Sequence, residues 1–305
     1  VSDATKSLRP VWVDDGLFPF ESHFIDIGGH SVHYVDEGEG PTLLLLHGNP
    51  TWSFLWRDVI RALREDFRCI ALDYPGFGLS TAKPGYRYLP EEHADVVTGF
   101  IDALGLSGVT LVGQDWGGPI GLAVAQRRQG VFDRLVLANT WVWPVNGVLH
   151  FEAFSRIVGG LPMRFLIRQF NVLVSAFIPT GHRRRKPTAA EMDHYRRALD
   201  TAERRQASAV LPGRVLASRV FFAEVERGLS DLAHLPTLIV WGDADVAFRP
   251  QERERLEATF TNHTTVIVNG AGTYVESDAP EEFIAAIRNW TAQRADASCT
   301  DERDL

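Results

Sequence analysis

The order of segments in this chain predicts an α/β fold. Its centre is a mostly parallel eight-stranded sheet with helices on both faces. Strand-like runs alternate with amphipathic stretches, as in consecutive β-α units. The run TLLLLHG (42–48) is apolar without a break, as a strand covered on both faces should be. The alternation stops once, between 141 and 213, where apolar residues at helical spacing replace strands. That break predicts a helical cap inserted after the sixth strand.

The elements follow in order. HFIDI (23–27) and SVHYVDEG (31–38) alternate in polarity and predict an antiparallel edge hairpin. TLLLLHG leads into a helix at FLWRDVIRAL (54–63). Then come strand RCIALDYPG (68–76), helix EEHADVVTGFIDAL (91–104), strand VTLVGQD (109–115), helix GGPIGLAVAQRR (117–128) and strand FDRLVLANT (132–140). Within the insertion, 151–170 and 189–208 have helical spacing. The β-α order resumes with strand TLIVWGD (237–243), helix QERERLEATF (251–260), strand TTVIVNG (264–270) and helix EEFIAAIRNW (281–290). The expected segments are a first part of the core over 1–140, the cap over 141–213, and a second part of the core over 214–305. A polar, frayed tail is expected from 294. A cap so placed closes over the C-terminal edge of the strands, where clefts in open α/β sheets lie.

Composition narrows the function. With 305 residues, 45% of them hydrophobic, the chain can bury a large core. A net charge of −8 argues against a nucleic-acid partner. The basic run HRRRK (182–186) reads as a solvated loop. Cys69 and Cys299 lie in unlike surroundings, so neither a disulfide framework nor a Cys/His metal site is expected. VSDATKSLRP lacks the basic-then-apolar pattern of a signal peptide, and no apolar run approaches the roughly 18 residues of a membrane span. A cytoplasmic protein without a membrane partner is the expectation.

The chemistry begins at LVGQDWGGPI (111–120). Gly113-x-Asp115-x-Gly117 has the spacing of a nucleophile elbow, with Asp where serine is usual. Small residues let the strand turn sharply into the helix, which lifts the central side chain into the cleft. An Asp ahead of a helix also serves as an N-cap, but the flanking glycines and the place after the fifth strand favour the elbow. A carboxylate is a poor acyl nucleophile, yet it can displace a leaving group at saturated carbon and form an ester. LHGNPTWSFLWRDVI (46–60) carries the HG turn that supplies an oxyanion-hole amide. Asn49 in it offers side-chain N–H donors, and Trp116 offers an indole N–H beside the nucleophile. Two such donors suit a departing halide, whose charge develops in the transition state.

These motifs together resemble the haloalkane dehalogenases of the α/β-hydrolase superfamily. The resemblance rests on HGNPTWSFLWR, DYPGFGLS (73–80), GQDWGG (113–118) and WGDADVAF (241–248), and extends from about residue 17 to 293. It implies Asp115 as nucleophile, Asn49 and Trp116 as halide-stabilising residues, and their backbone amides as the oxyanion hole. In part of the family the catalytic acid follows the sixth strand, where this chain has Asn139 and no carboxylate. In the rest it follows the seventh, where spacing from Gly242 selects Asp245 over Asp243. Asp73 reads as structural.

The last loop departs from the family pattern. Where the family has Gly-His, this chain reads Gly272-Thr273, followed by Tyr274 and an acidic stretch ending in Asp-Ala-Pro. Thr273 stands in the place of the base. His263 precedes the eighth strand and should lie at the far end of the sheet. His30, His33, His47, His93, His150, His182, His194 and His234 have no supporting spacing. A threonine hydroxyl does not accept a proton usefully near neutral pH. The base serves ester hydrolysis and not the first displacement, so the expectation is alkylation at Asp115 followed by a stall. Retention of the other positions fits a dehalogenase arrested by substitution; a natural relative with another role is the alternative.

The expected partners are a small halogenated hydrocarbon, water and halide, with no cofactor and no metal. The oligomeric state is left open. Trp52, Phe54, Trp141, Trp143, Phe165 and Phe248 are the candidate walls of an apolar pocket. Three other readings stand beside this one. An epoxide hydrolase also uses an Asp nucleophile, but usually two lid tyrosines, and this lid holds only Tyr195. A coelenterazine-oxidising luciferase of this fold and a non-catalytic binding protein are the others.

Overall fold

The computed structural model describes residues 9–301. The strands are β1 (His23–Ile27), β2 (His30–Glu37), β3 (Thr42–Leu46), β4 (Arg68–Leu72), β5 (Val109–Gln114), β6 (Phe132–Ala138), β7 (Thr237–Gly242) and β8 (His263–Val268). They form one sheet in the order β1-β2-β4-β3-β5-β6-β7-β8. The β1–β2 and β2–β4 pairings are antiparallel, and the other five are parallel. The order reverses at β3, which lies between β4 and β5. A crevice forms at such a switch point, beyond the strands' carboxyl ends.

Side chains of one strand alternate between two cores, which is why TLLLL is apolar throughout. Leu44 and Leu46 join Val97, Phe100 and Ile120 on one face. Leu43 and Leu45 join Val59, Ile60, Phe283 and Ile287 on the other. The first face is covered by α2 (Pro90–Leu104) and α3 (Gly117–Arg127), and the second by α1 (Arg57–Leu63) and a C-terminal helix.

Several boundaries differ from the sequence expectation. The helix expected from 54 is split into a 3₁₀ turn, Ser53–Trp56, and α1. The strands β3 to β6 stop two or more residues early, or one for β5, because HG, DYPG, Asp115 and Asn139 turn out of the ladder into loops. The insertion contains α4 (Leu149–Val158), α5 (Leu161–Phe170), α6 (Val172–Gly181), α7 (Ala189–Ala198) and α8 (Gln206–Ala217). The stretch 151–170 breaks at Gly159-Gly160, where α4 approaches α8 so closely that a Cβ on Gly159 would overlap the Gly213 backbone. The stretch 189–208 breaks between α7 and α8, and α8 runs past residue 213. Then follow α9 (Arg219–Arg227), α10 (Leu229–Leu232), α11 (Pro250–Thr259), α12 (Val275–Asp278) and α13 (Pro280–Asp301). The tail expected to fray from 294 instead continues α13 to Asp301, and residues 302–305 lie outside the described residues.

A buried ion pair ties the insertion to the body. Arg57 on α1 is 1% exposed and pairs with Glu191 on α7. Arg185 donates to the same oxygen at 2.9 Å, and the Thr188 amide donates to the other at 2.7 Å. Burial opposes the charge on Glu191, but Arg57, the Thr188 amide and Arg185 outweigh it and hold its carboxyl at about 2. Removing one partner of such a pair strands the other charge, which costs about 3–5 kcal/mol. Glu191→Ala is therefore expected to lower the unfolding free energy from urea titration by about 3–5 kcal/mol. In the parent chain a depressed carboxyl stabilises the native state fully above its ordinary 4.5, and the contribution is lost as pH falls through about 2. The difference between parent and variant should shrink across that window.

Candidate active site

The crevice at the switch point carries the chemistry. Asp115 follows β5 with φ +51°, a left-handed conformation that an Asp tolerates and most side chains avoid. Its own carbonyl is held by the Thr140 hydroxyl at 2.6 Å and the Gly118 amide at 3.1 Å, which fixes the turn. Gly117 allows the turn to pack on β3, since a Cβ there would overlap the Leu46 carbonyl. The side chain is aimed at the loop after β3. Asn49 N–H donates to Asp115 Oδ1 at 3.0 Å, and the Trp116 amide is a second donor to the carboxylate. Burial pushes the Asp115 carboxyl up to about 7, against these two amides and with help from nearby Asp245.

Asp245 follows β7 and is buried. Asn139 donates to Oδ2 at 2.9 Å, while the Ala247 amide and the Thr273 hydroxyl each donate to Oδ1 at 2.7 Å. Burial raises its carboxyl above the usual range, with the Thr273, Ala247 and Asn139 bonds opposing. Thr273 thus faces Asp245, and Gln114 binds the Thr273 carbonyl at 3.0 Å. Glu276 lies three residues on. It is fully buried, neither carboxylate oxygen has a partner, and desolvation raises it to about 8.

Asn49, Asp115, Trp116, Asp245 and Thr273 all line one cavity of about 270 Å³. Of the six predicted wall residues, Trp141 and Phe248 line it and stack on one another at 5.4 Å. Trp52 and Phe54 do not; they stack in the body core, with Phe54 against His194. Trp143 is buried under the Arg255 guanidinium, 4.2 Å from its ring centre. Phe165 points outward from α5 and is 59% exposed. Other apolar walls are Phe151, Phe154, Leu173, Phe177, Pro212 and Val215 of the inserted helices. Helical spacing covered Phe151 and Phe154 but could not say which side faces the crevice.

Two further residues escaped the sequence reading. Asn139, noted there as the lack of a carboxylate, orients Asp245 and also binds the Gly242 backbone through both amide atoms. His150 lines the cavity, and its Nε2 is buried without a partner. The other histidines do not substitute for a base. His182 is occupied on both nitrogens, by the Ile178 carbonyl at 2.7 Å and the Ser277 hydroxyl at 3.1 Å. His263 opens β8 at the opposite end of the strands. His47 binds the Gly48 carbonyl and receives the Tyr74 amide. Tyr195 is buried beside Phe54 and lies outside the cavity lining, whereas Tyr274 belongs to it. The Asn49 side chain reaches the inserted helices: Nδ2 donates to the Ser208 carbonyl at 3.3 Å, and Oδ1 has no partner. Among the described residues no group of three or more His, Cys, Asp or Glu side chains is placed to hold a metal.

A sharp Asp elbow after a central parallel strand, facing a loop amide across the switch point, defines an α/β hydrolase. The model of the α/β-hydrolase fold family matches residues 41–275. Haloalkane dehalogenase 2 of Mycobacterium tuberculosis is 46% identical over 276 residues, covering 90% of this chain and 96% of that protein. Cis-3-alkyl-4-alkyloxetan-2-one decarboxylase of Shewanella oneidensis is 29% identical over 291 residues, covering 92% and 91%. The solved structure of haloalkane dehalogenase DbeA from Bradyrhizobium elkani superposes with a TM-score of 0.80 at 25% identity, covering 90% of this chain and 99% of that one. The chain belongs to the haloalkane dehalogenase family.

The Asn139 contacts predict a stability effect. Asn139→Ala leaves Asp245 Oδ2 and the Gly242 amide without their side-chain partners, and an unsatisfied buried group costs about 1–3 kcal/mol. A lower melting temperature is expected. The Asp245 carboxyl, having lost a donor to its charged form, should titrate still higher by carboxyl-resolved NMR.

Proposed function

We propose that this chain displaces halide from a small haloalkane with Asp115 and retains the alkyl ester that forms. The observation that carries the reading is Thr273 Oγ1 donating to Asp245 Oδ1 at 2.7 Å, in the cavity that also holds Asp115. The acid is engaged by a hydroxyl where a basic imidazole is needed.

With Asp115 Oδ1 held by Asn49, Oδ2 is the attacking oxygen. It forms a bond to the saturated carbon as the carbon–halogen bond breaks, and halide leaves with the bonding pair. The Trp116 indole N–H and the hydrogen of the Asn49 amide not used by Ser208 are the donors for that halide. Cap helices α4, α6 and α8 with Trp141 and Phe248 keep the site apolar, which suits an uncharged halogenated alkane. Water would next add to the ester carbonyl, whose oxygen the Asn49 and Trp116 amides stabilise. The proton of that water has no acceptor at Thr273. Loss of a general base costs about 10²–10⁴-fold in rate. The 46% identity to a dehalogenase supports this substrate class ahead of the oxetanone of the 29% relative.

A 1-bromoalkane is expected to leave an alkyl adduct on Asp115 that persists in mass spectra of the intact and digested chain. No adduct, or rapid turnover, sinks the proposal. Asp115→Asn should abolish the adduct, and Thr273→His should raise halide release by at least about a hundredfold. The pH dependence follows from burial of the nucleophile. Asp115 is protonated below about 7, so the rate of adduct formation should rise through that pH and level above it.

His150 favours a second reading, because a buried, unpartnered imidazole nitrogen lines the same cavity. In that reading a cap histidine takes the proton and the ester turns over slowly. Single-turnover kinetics separate the two. If His150→Ala converts slow turnover into a stable adduct, the second reading holds; if ester decay is unchanged, it fails.

A further inference from the structure

Phe165 was expected in the substrate wall and instead faces out of the molecule. It is not alone. Of the ten residues of α5 only Ile167 is buried. Leu161 is 80% exposed, Phe170 65%, and Ile157 of neighbouring α4 64%, with Leu166 beside them. Arg164 and Arg168 are interleaved with these side chains. From residue 153 to 190 the chain carries seven basic residues and no Asp or Glu, against a net charge of −8 overall. Arg184 and Arg185 of that stretch turn to Glu282 and Glu191, and Arg156 pairs with Glu152. Arg164 and Arg168 are the charges of the α5 face, with Arg168 Nε 3.5 Å from the Ala202 carbonyl.

We propose that this face of the cap seats on an anionic lipid bilayer. Exposed Phe and Leu interleaved with arginine are the composition of a helix that lies in the plane of a membrane interface. The geometry agrees. No single helix among the described residues is long and apolar enough to cross a bilayer, and α5 and α6 meet at 91°, so α5 lies along a surface while α6 turns inward. Phe177 of α6 is both 36% exposed and part of the cavity wall, and Phe154 packs edge-on against it at 6.0 Å. Phe177 thus joins the cavity wall to the outer surface of the cap. Helix α5 carries Arg164 and Arg168 and no acidic residue, and anionic headgroups supply the charge this face lacks.

The test floats the full-length chain with vesicles of phosphatidylcholine alone and with vesicles also containing phosphatidylglycerol. The chain should float with the second kind and not the first, and added salt should release it. Arg164→Glu with Arg168→Glu should reduce the bound fraction about tenfold or more. Phe165→Ser with Phe170→Ser should also abolish flotation while circular dichroism and melting stay unchanged. Failure to float with phosphatidylglycerol overturns the proposal, as does flotation unaffected by either double variant. A dimer by light scattering that Phe165→Ser and Phe170→Ser dissolve, without vesicle binding, overturns it in favour of a second copy. None of these outcomes depends on the chemistry at Asp115.

Discussion

The turn from β5 into α3 sets what the rest of the site must do. Asp115 can present its carboxylate to the crevice only in a left-handed backbone conformation, and such strain persists only where the surroundings enforce it. Thr140 and Gly118 grip its carbonyl, Asn49 grips its side chain, and glycines at 48 and 117 leave the room. Once the carboxylate is so placed it is also buried, and burial works against its charge. The two amides that hold it recover part of that penalty. In the proposed mechanism those amides would also hold a developing oxyanion, so the contacts that position Asp115 would serve the later ester as well.

A second consequence concerns charge. Asp115, Asp245 and Glu276 are buried near one another, and each is shifted in the direction that favours its proton. An imidazole at 273 would give these carboxyls a partner able to carry positive charge. Threonine offers one hydroxyl donor, enough to satisfy one oxygen of Asp245 and too little to balance a charge. Under the proposed reading, threonine at 273 does two things at once. It offers no proton acceptor, and it leaves the three acids shifted toward their protonated forms.

Much of this was legible in the sequence, for identifiable reasons. The eight strands were readable because the parallel ones each carry a run of apolar residues and the edge hairpin alternates. The elbow was readable because a sharp turn demands glycines at fixed spacing around Asp115. What stayed hidden depends on long-range geometry. Asn139 showed in the sequence only as a missing carboxylate, yet it is separated by 106 residues from the Asp245 it orients. Trp52 and Phe54 flank the HGNP loop, and nothing local says that their rings turn into the body rather than the crevice. Phe165 has the spacing of a core position on an amphipathic helix, but α5 buries only Ile167, with Met163 packed beside it. Helical spacing defines a face; it does not say what covers that face.

The cap joins the body through contacts of two kinds. At one end the buried pair Arg57–Glu191, with Arg185 on the same carboxylate, links α1 to α7. Such a network is costly to open, because parting it strands charges in a low dielectric. At the other end Ala207, Leu211 and Val215 of α8 pack into the core beside Trp116 and Trp141. Arg204 donates to the Gly78 carbonyl at 3.0 Å and Asn49 Nδ2 to the Ser208 carbonyl at 3.3 Å. Asn49 therefore joins the two parts of the site: its backbone amide holds the Asp115 carboxylate, and its side chain reaches the α8 backbone above it.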